Sequence, residues 1–214
     1  MLHIENLTVQ RGSQVLFQNL DLRIAPGEVL TLMGASGSGK STLLNWLIGA
    51  LDPVFSASGA LWLKGQRRDA LPTELRRIGI LFQDDLLFAH MSVGQNLAFA
   101  LPAEVRGAAR RTRIEQVLAD VGLSGFAERD PATLSGGQRA RISLMRALLA
   151  QPDALLLDEP FSKLDAVLRG QFRAWVFAHL QRTGIPTLLV THDPQDAPAG
   201  GKVIDICTWQ NTSP

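Results

Sequence analysis

The residues Gly34-Ala35-Ser36-Gly37-Ser38-Gly39-Lys40-Ser41-Thr42 offer the densest chemistry in the chain. Gly34, Gly39, Lys40 and Ser41 satisfy the spacing G-x-x-x-x-G-K-[ST]. Glycines let the backbone adopt conformations that a side chain would block. Successive N–H groups can then turn inward and cradle phosphate oxygens. A helix starting near Lys40 would add its positive end. Lys40 has the reach for β- and γ-phosphates, and the Ser41 hydroxyl suits Mg²⁺. Thr42 is a secondary candidate for phosphate contact. Together these residues predict a site for a nucleoside triphosphate.

Two carboxylates, Asp158 and Glu159, follow the apolar run Ala154–Leu157. Alone, they would read as solvated acids after a strand. A phosphate loop upstream changes that reading, because such a site needs an acid at the end of a neighbouring strand. Asp158 is then placed to hold Mg²⁺, directly or through water. Glu159, pointing elsewhere, suits a base that orients or deprotonates the attacking water.

These groups need a scaffold, and the hydrophobic pattern predicts one. Leu2–Val9 and Val15–Ile24 alternate apolar and polar residues as strands do. Val29–Met33 is a short apolar run suited to a buried strand, and Ser41–Leu51 has helical character. The phosphate loop therefore sits between a strand and a helix, which is the context it requires. A strand is expected around Ile78–Phe82. From Asp84 to Gln151 the period is mainly helical, as in Thr112–Val121 with Ile114, Val117, Leu118 and Val121 on one face. Strands return at Ala154–Leu157, Thr187–Val190 and near Val203–Ile206, with a helix over Asp165–Gln181. The expected organisation is one α/β nucleotide-binding core, residues 1–83 and 152–214, interrupted by a helical subdomain at 84–151.

Composition sets limits. The chain has 214 residues and a formal charge of +1, so nothing in its charge calls for nucleic acid as a partner. The basic run from Arg106 to Arg113 reads as a solvated helix face. Cys207 is the only cysteine, which excludes an internal disulfide and fits a reducing compartment. The N-terminus lacks the pattern of a secretory signal. No window reaches the roughly 18 apolar residues of a membrane span. A soluble protein is expected, and any membrane spans would belong to another chain.

A narrower motif stands upstream of the acidic strand end: Leu134-Ser135-Gly136-Gly137-Gln138. With it, the chain resembles the ATP-binding-cassette (ABC) ATPases over almost its whole length. That resemblance implies a P-loop NTPase (RecA-like) core, with an N-terminal antiparallel β subdomain and an inserted helical subdomain. It implies ATP and Mg²⁺ as ligands and ATP hydrolysis as the activity. It also implies a head-to-tail dimer, in which Ser135, Gly136, Gly137 and Gln138 face the γ-phosphate held by a second copy. Gln83 is similar to the glutamine that contacts Mg²⁺ and water and senses the membrane partner. Ser162-Lys163-Leu164-Asp165 resembles the loop that crosses the dimer interface, and Asp165 is carried as a site residue with it. His192, in Thr191-His192-Asp193, resembles the switch histidine at the γ-phosphate. His3, His90 and His179 have no such context. Arg11 stands where the family usually has an aromatic residue on adenine; a guanidinium plane can also stack on a ring.

The stretches TLMGASGSGKST, IGILFQDDLLF, DPATLSGGQRARISL and DEPFSKLD are similar to importer subunits. The resemblance implies separate transmembrane permease subunits and, indirectly, a solute-binding protein. It implies a peripheral place on the cytoplasmic face of the membrane, and a chain without the extra regulatory domain of some relatives. An ATP-driven switch acting on nucleic acid, ribosomes or another protein shares every motif and is the alternative.

Overall fold

The computed structural model describes residues 1–210. They form two compact units: Met1–Ile80 with Asp153–Glu159 and the segment from Val176 onward, and Leu81–Pro152 with Pro160–Trp175.

The first unit opens with β1 (Leu2–Arg11) and β2 (Gln14–Ile24), antiparallel across the turn at Gly12-Ser13. The buried apolar side chains of β1 are Leu2 and Ile4, then Leu7 and Val9. The switch from even to odd positions needs an extra residue. Asn6 supplies it, at φ 50°, where the register slips. Opposite this bulge Gly59 has φ 142°, and a Cβ there would lie 2.8 Å from Leu7 Cα. Gly59 belongs to β4 (Phe55–Leu63), which pairs with β1 and with the two-residue β5 (Gln66–Arg67). The resulting sheet has the order β2-β1-β4-β5.

The second sheet carries the phosphate loop. β3 (Val29–Met33) leads into that loop, and α1 (Lys40–Ile48) leaves it. After the single turn α2 (Thr73–Arg76) come β6 (Ile78–Leu81), β7 (Ala154–Asp158), β8 (Thr187–Val190) and β9 (Val203–Asp205). The order is β6-β7-β8-β3-β9. β3 runs parallel to β8 and β9, and β7 parallel to β8. Parallel strands buried on both faces read as unbroken apolar runs, which explains VLTLM, ALLLD and TLLV. Parallel pairing also brings the loops after β3, β7, β8 and β9 to one edge of the sheet, where ligands of open α/β sheets bind.

The helix α1 ends sooner than its apolar pattern suggests. Gly49 takes φ 82° as a C-terminal cap. The buried Arg76 closes that end, donating from Nη1 to Trp46 O at 2.7 Å and Leu47 O at 3.0 Å. Its other donors go to Leu71 O at 2.8 Å and to Asp69 O. Burial pulls the Arg76 pKa down, and Asp69 partly restores it. A guanidinium at a helix C-terminus also meets the negative end of its dipole.

The second unit holds α3 (Val93–Ala100), α4 (Gly107–Asp120) and α5 (Gly136–Leu149), and α6 (Ala166–Thr183) begins in it. The α4 face Ile114, Val117 and Leu118 is buried with Val121, as the period predicts. The helix begins upstream of that face at Gly107, with Gly107, Ala108 and Ala109 exposed. The fully buried Asn96 accepts from Phe88 N at 2.8 Å. It donates to Phe88 O, Met91 O and Ser92 O, and so pins the loop before α3.

Replacing Arg76 with Leu takes the guanidinium donors from Leu47 O, Leu71 O and Asp69 O and leaves Trp46 O with only the Gly49 N–H. It should lower stability by about 2–4 kcal/mol in urea-induced unfolding. A loss within error of zero would show that the clamp carries no stability.

Candidate nucleotide site

The phosphate loop adopts the conformation its glycines allow. Gly34, Gly37 and Gly39 have φ of 157°, 80° and 85°. A Cβ on Gly39 would come within 2.7 Å of Phe17 Cζ and 2.9 Å of Leu16 Cδ2. One on Gly34 would come within 2.5 Å of Ile206 Cγ2. At Gly37 there is open space, so only its backbone angle demands glycine. Ala35, Ser36 and Gly37 are exposed, whereas Ser38 is buried.

Three helices begin in this chemistry with different caps. Ser92 on α3 and Ser135 on α5 each form a capping box with Gln95 and Gln138. By contrast, α1 begins at Gly39, where no side chain accepts from its first amides. Those donors are left for a ligand, and the helix dipole adds positive potential. Lys40 reaches back over the loop, donating to Gly34 O at 2.7 Å, Ala35 O at 2.8 Å and Ser38 Oγ at 3.4 Å. Ser41 is exposed and Thr42 half-buried in the first turn. Backbone donors and an ammonium together suit an anion of phosphate size.

The end of β7 supplies the acids. Burial raises the Asp158 pKa, the neighbouring Glu159 raises it further, and Lys40 pulls it back. Glu159 breaks out of the strand at φ 50°, a conformation that costs a non-glycine residue about 1–2 kcal/mol. Its carboxylate thereby turns to the loop after β8. Oε1 accepts from His192 N at 3.1 Å and lies 2.7 Å from His192 Nδ1. Oε2 lies 3.3 Å from the buried Thr191 hydroxyl, whose single hydrogen is shared with Asp196 at 3.1 Å. The hydrogen bond to Glu159 raises the His192 pKa, and the charges of Glu159, Asp193 and Asp196 add to it against slight desolvation. With Nδ1 engaged, Nε2 is the nitrogen left to face a ligand.

Among the described residues no three His, Cys, Asp or Glu side chains converge as a metal site. A half-buried carboxylate with a raised pKa beside a second acid favours a cation.

The remaining predicted residues occupy distinct settings. Arg11 is exposed at the end of β1, in register with Gln14 and Phe55. In the second unit, Gln83 is exposed two residues beyond β6. There Ser135 Oγ accepts from Gln138 N at 3.2 Å, and Gln138 Oε1 from Ser135 N at 2.9 Å. The first turn of α5 thus begins at Gly136, with Gly136 and Gly137 half-buried. Asp165 Oδ1 accepts from Leu168 N at 3.0 Å at the start of α6.

Sequence reasoning missed a charged hub in the second unit. The carboxylate of Asp85 lies 3.2 Å from Arg139 Nε and 3.2 Å from Lys163 Nζ. Its carbonyl accepts from Ser143. It joins the segment after Gln83 to the residue after Gln138 and to the Ser162–Asp165 loop. No local pattern marks it, since the partners lie far apart in sequence.

An edge that gathers an uncapped glycine loop, a lysine, two acids and a histidine is the site of a P-loop nucleotide hydrolase. The ABC transporter family model matches residues 17–162, and the chain belongs to that family of ATP-binding, ATP-hydrolysing cassettes. It is 54% identical to the uncharacterized ABC transporter ATP-binding protein YnjD of Escherichia coli (strain K12), over 98% of this chain and 96% of that one. To the sulfate/thiosulfate import ATP-binding protein CysA of Gloeobacter violaceus it is 42% identical, over 91% of this chain and 56% of the relative. The chain therefore spans nearly all of the first relative and about half of the second. Its fold is similar to the dimeric structure of a post-hydrolysis state of the ATP-binding cassette MJ0796 bound to ADP and Pi. The TM-score is 0.81 and the identity 30%, covering 96% and 94% of the two chains. No helix among the described residues is long and apolar enough to cross a membrane.

The His192 pKa should lie above 6.5 in an NMR titration of the nucleotide-free protein, and Glu159→Gln should bring it down. A pKa raised in the fold adds stability below the unfolded value and loses it as pH rises through the folded one. His192 is largely exposed, so solvent screens that contribution. An unchanged titration in the variant would remove Glu159 as the cause.

Proposed function

We propose that the protein is the MgATP-driven motor subunit of a bacterial importer, working as a head-to-tail dimer beneath separate transmembrane permease subunits. The observation that carries the catalytic reading is the Glu159–His192 pair beside Asp158, on the sheet edge that bears the Lys40 loop. Import is supported by the likeness to a sulfate/thiosulfate import protein, and the dimer by the likeness to a dimeric cassette.

In this reading the amides of Gly34–Thr42 and the Lys40 ammonium bind the phosphates of ATP. Ser41, Asp158 and Gln83 would hold Mg²⁺. The bound ion supplies charge neutralisation at the phosphates. Glu159 orients a water for in-line attack on the γ-phosphorus and takes its proton. His192 donates from Nε2 to a γ-phosphate oxygen, which its raised pKa favours. ADP leaves with the β–γ bridging oxygen, and the γ-phosphoryl group becomes inorganic phosphate. Most of the rate comes from positioning and charge stabilisation.

One copy supplies only half of the donors around a γ-phosphate. Ser135, Gly136, Gly137 and Gln138 of a second copy supply the rest, at an α5 N-terminus whose dipole favours an anion. Asp165 lies at the edge of that contact, and Arg11 serves as the adenine platform. ATP then favours the closed pair, and hydrolysis removes that preference. Motion passes through Gln83 and the segment 84–96 to the permease. A solute-binding protein acts only through the permease, no nucleic acid takes part, and the subunit sits on the cytoplasmic face of the membrane.

Glu159→Gln should keep ATP affinity, lower turnover by at least roughly 100-fold, and accumulate a dimer at saturating MgATP. A monomer by light scattering in that variant would count against the sandwich.

A further inference from the structure

The geometry points to Gln210 as a positioning residue for the phosphate loop, a role that rests on this loop being the nucleotide site. β9 runs parallel to β3, with Thr31, Leu32 and Met33 in register with Val203, Ile204 and Asp205. Two parallel neighbours deliver their C-terminal ends to the same edge of the sheet. The residues after β9 therefore arrive beside the loop after β3. There Asp205 Oδ1 accepts from Cys207 N at 2.8 Å and starts a single 3-10 turn over Ile206–Trp209. The turn buries Ile206 completely, with its Cγ2 against the face of Gly34 where a side chain would stand. It then presents Gln210, whose Nε2 donates to Ser38 O at 2.8 Å.

That bond acts on a particular peptide plane. The carbonyl of Ser38 and the N–H of Gly39 belong to one trans peptide, so they point in opposite directions. Holding the Ser38 oxygen on Gln210 turns the Gly39 N–H to the other side of the loop, away from the turn. Gly39 is the uncapped start of α1, so this N–H is one of the donors the phosphates require. Leu16 and Phe17 pack closely beside Gly39 and Ile206 beside Gly34, but apolar contacts exclude positions without choosing an orientation. The Gln210 amide is the directional brace. A glycine-rich loop has more backbone freedom to lose on binding than any other segment. Orienting one of its peptides beforehand lowers that loss.

Gln210→Met keeps the length of the side chain and removes the donor; Gln210→Ala removes both. Calorimetric titration with ADP in Mg²⁺ should show both variants binding roughly three- to tenfold more weakly, as expected for one hydrogen bond. The KM for ATP should rise by the same factor. The kcat at saturating ATP should stay within about twofold of wild type, because the brace touches no reacting atom. The melting temperature of the nucleotide-free protein should not fall. ADP affinity of Gln210→Met equal to wild type would overturn the proposal. So would a parallel fall in melting temperature and kcat, which marks a merely structural contact. Lys40→Ala separates the two levels of the argument. If it loses ADP while Gln210→Met does not, the loop is the nucleotide site and only the brace is wrong. If wild type fails to bind ADP, both readings fall.

Discussion

The first turn of a helix has amide groups that the helix itself cannot satisfy, and much of this protein is arranged around leaving one such set open. At α3 and α5 the chain closes the helix start with a capping box, Ser92 with Gln95 and Ser135 with Gln138. At α1 it places a glycine instead. The consequence is a strip of donors at the end of a buried strand, held in place from outside. Leu16 and Phe17 press on Gly39, Ile206 presses on Gly34, and Arg76 satisfies the carbonyls at the far end of the helix. An anion-binding terminus at one end and a guanidinium clamp at the other serve the same dipole.

The acid side of the site follows from a second constraint. A strand alternates its side chains, so two neighbouring carboxylates would ordinarily face opposite ways along a straight β7. The left-handed backbone at Glu159 bends the chain after Asp158 and brings the second carboxylate to His192. That arrangement carries costs: a strained residue, and a half-buried acid whose pKa is raised. Such costs are characteristic of a site shaped for a ligand rather than for stability. They make chemical sense if a cation and a polyphosphate arrive together, since each relieves the charge imbalance the other would leave.

The chemistry was legible in the sequence wherever it depends on local order. The glycine loop lies between β3 and α1 as its spacing demands, and Thr187–Val190 forms a strand over the predicted residues. Features set by distant partners were not legible. Nothing near Gln210 signals that its amide meets Ser38, 172 positions away, and nothing near Asp85 announces Arg139 and Lys163. The bulge at Asn6 hides because Leu2–Val9 still looks alternating when one residue is extra. Ser135-Gly136-Gly137-Gln138 reads from its residue types as a ligand motif. The same four residues are a capping box, so the helix begins at Gly136. In the proposed dimer the same helix terminus would also offer its Gly136 and Gly137 amides to an anion.

The central claim is that the open donors of α1 form half of a site completed by α5 of a second copy. It can be tested directly with one cysteine on each half. Ser36→Cys lies on the exposed part of the loop, and Gly136→Cys has space for its Cβ, with the nearest neighbour 3.9 Å away. Both are introduced with Cys207→Ser and Glu159→Gln, and a short thiol cross-linker is added with and without MgATP. The account predicts a covalent dimer that forms with MgATP and not in its absence, joining residue 36 of one copy to residue 136 of the other by mass spectrometry. Cross-links only between identical positions, or no nucleotide-dependent dimer, would contradict it.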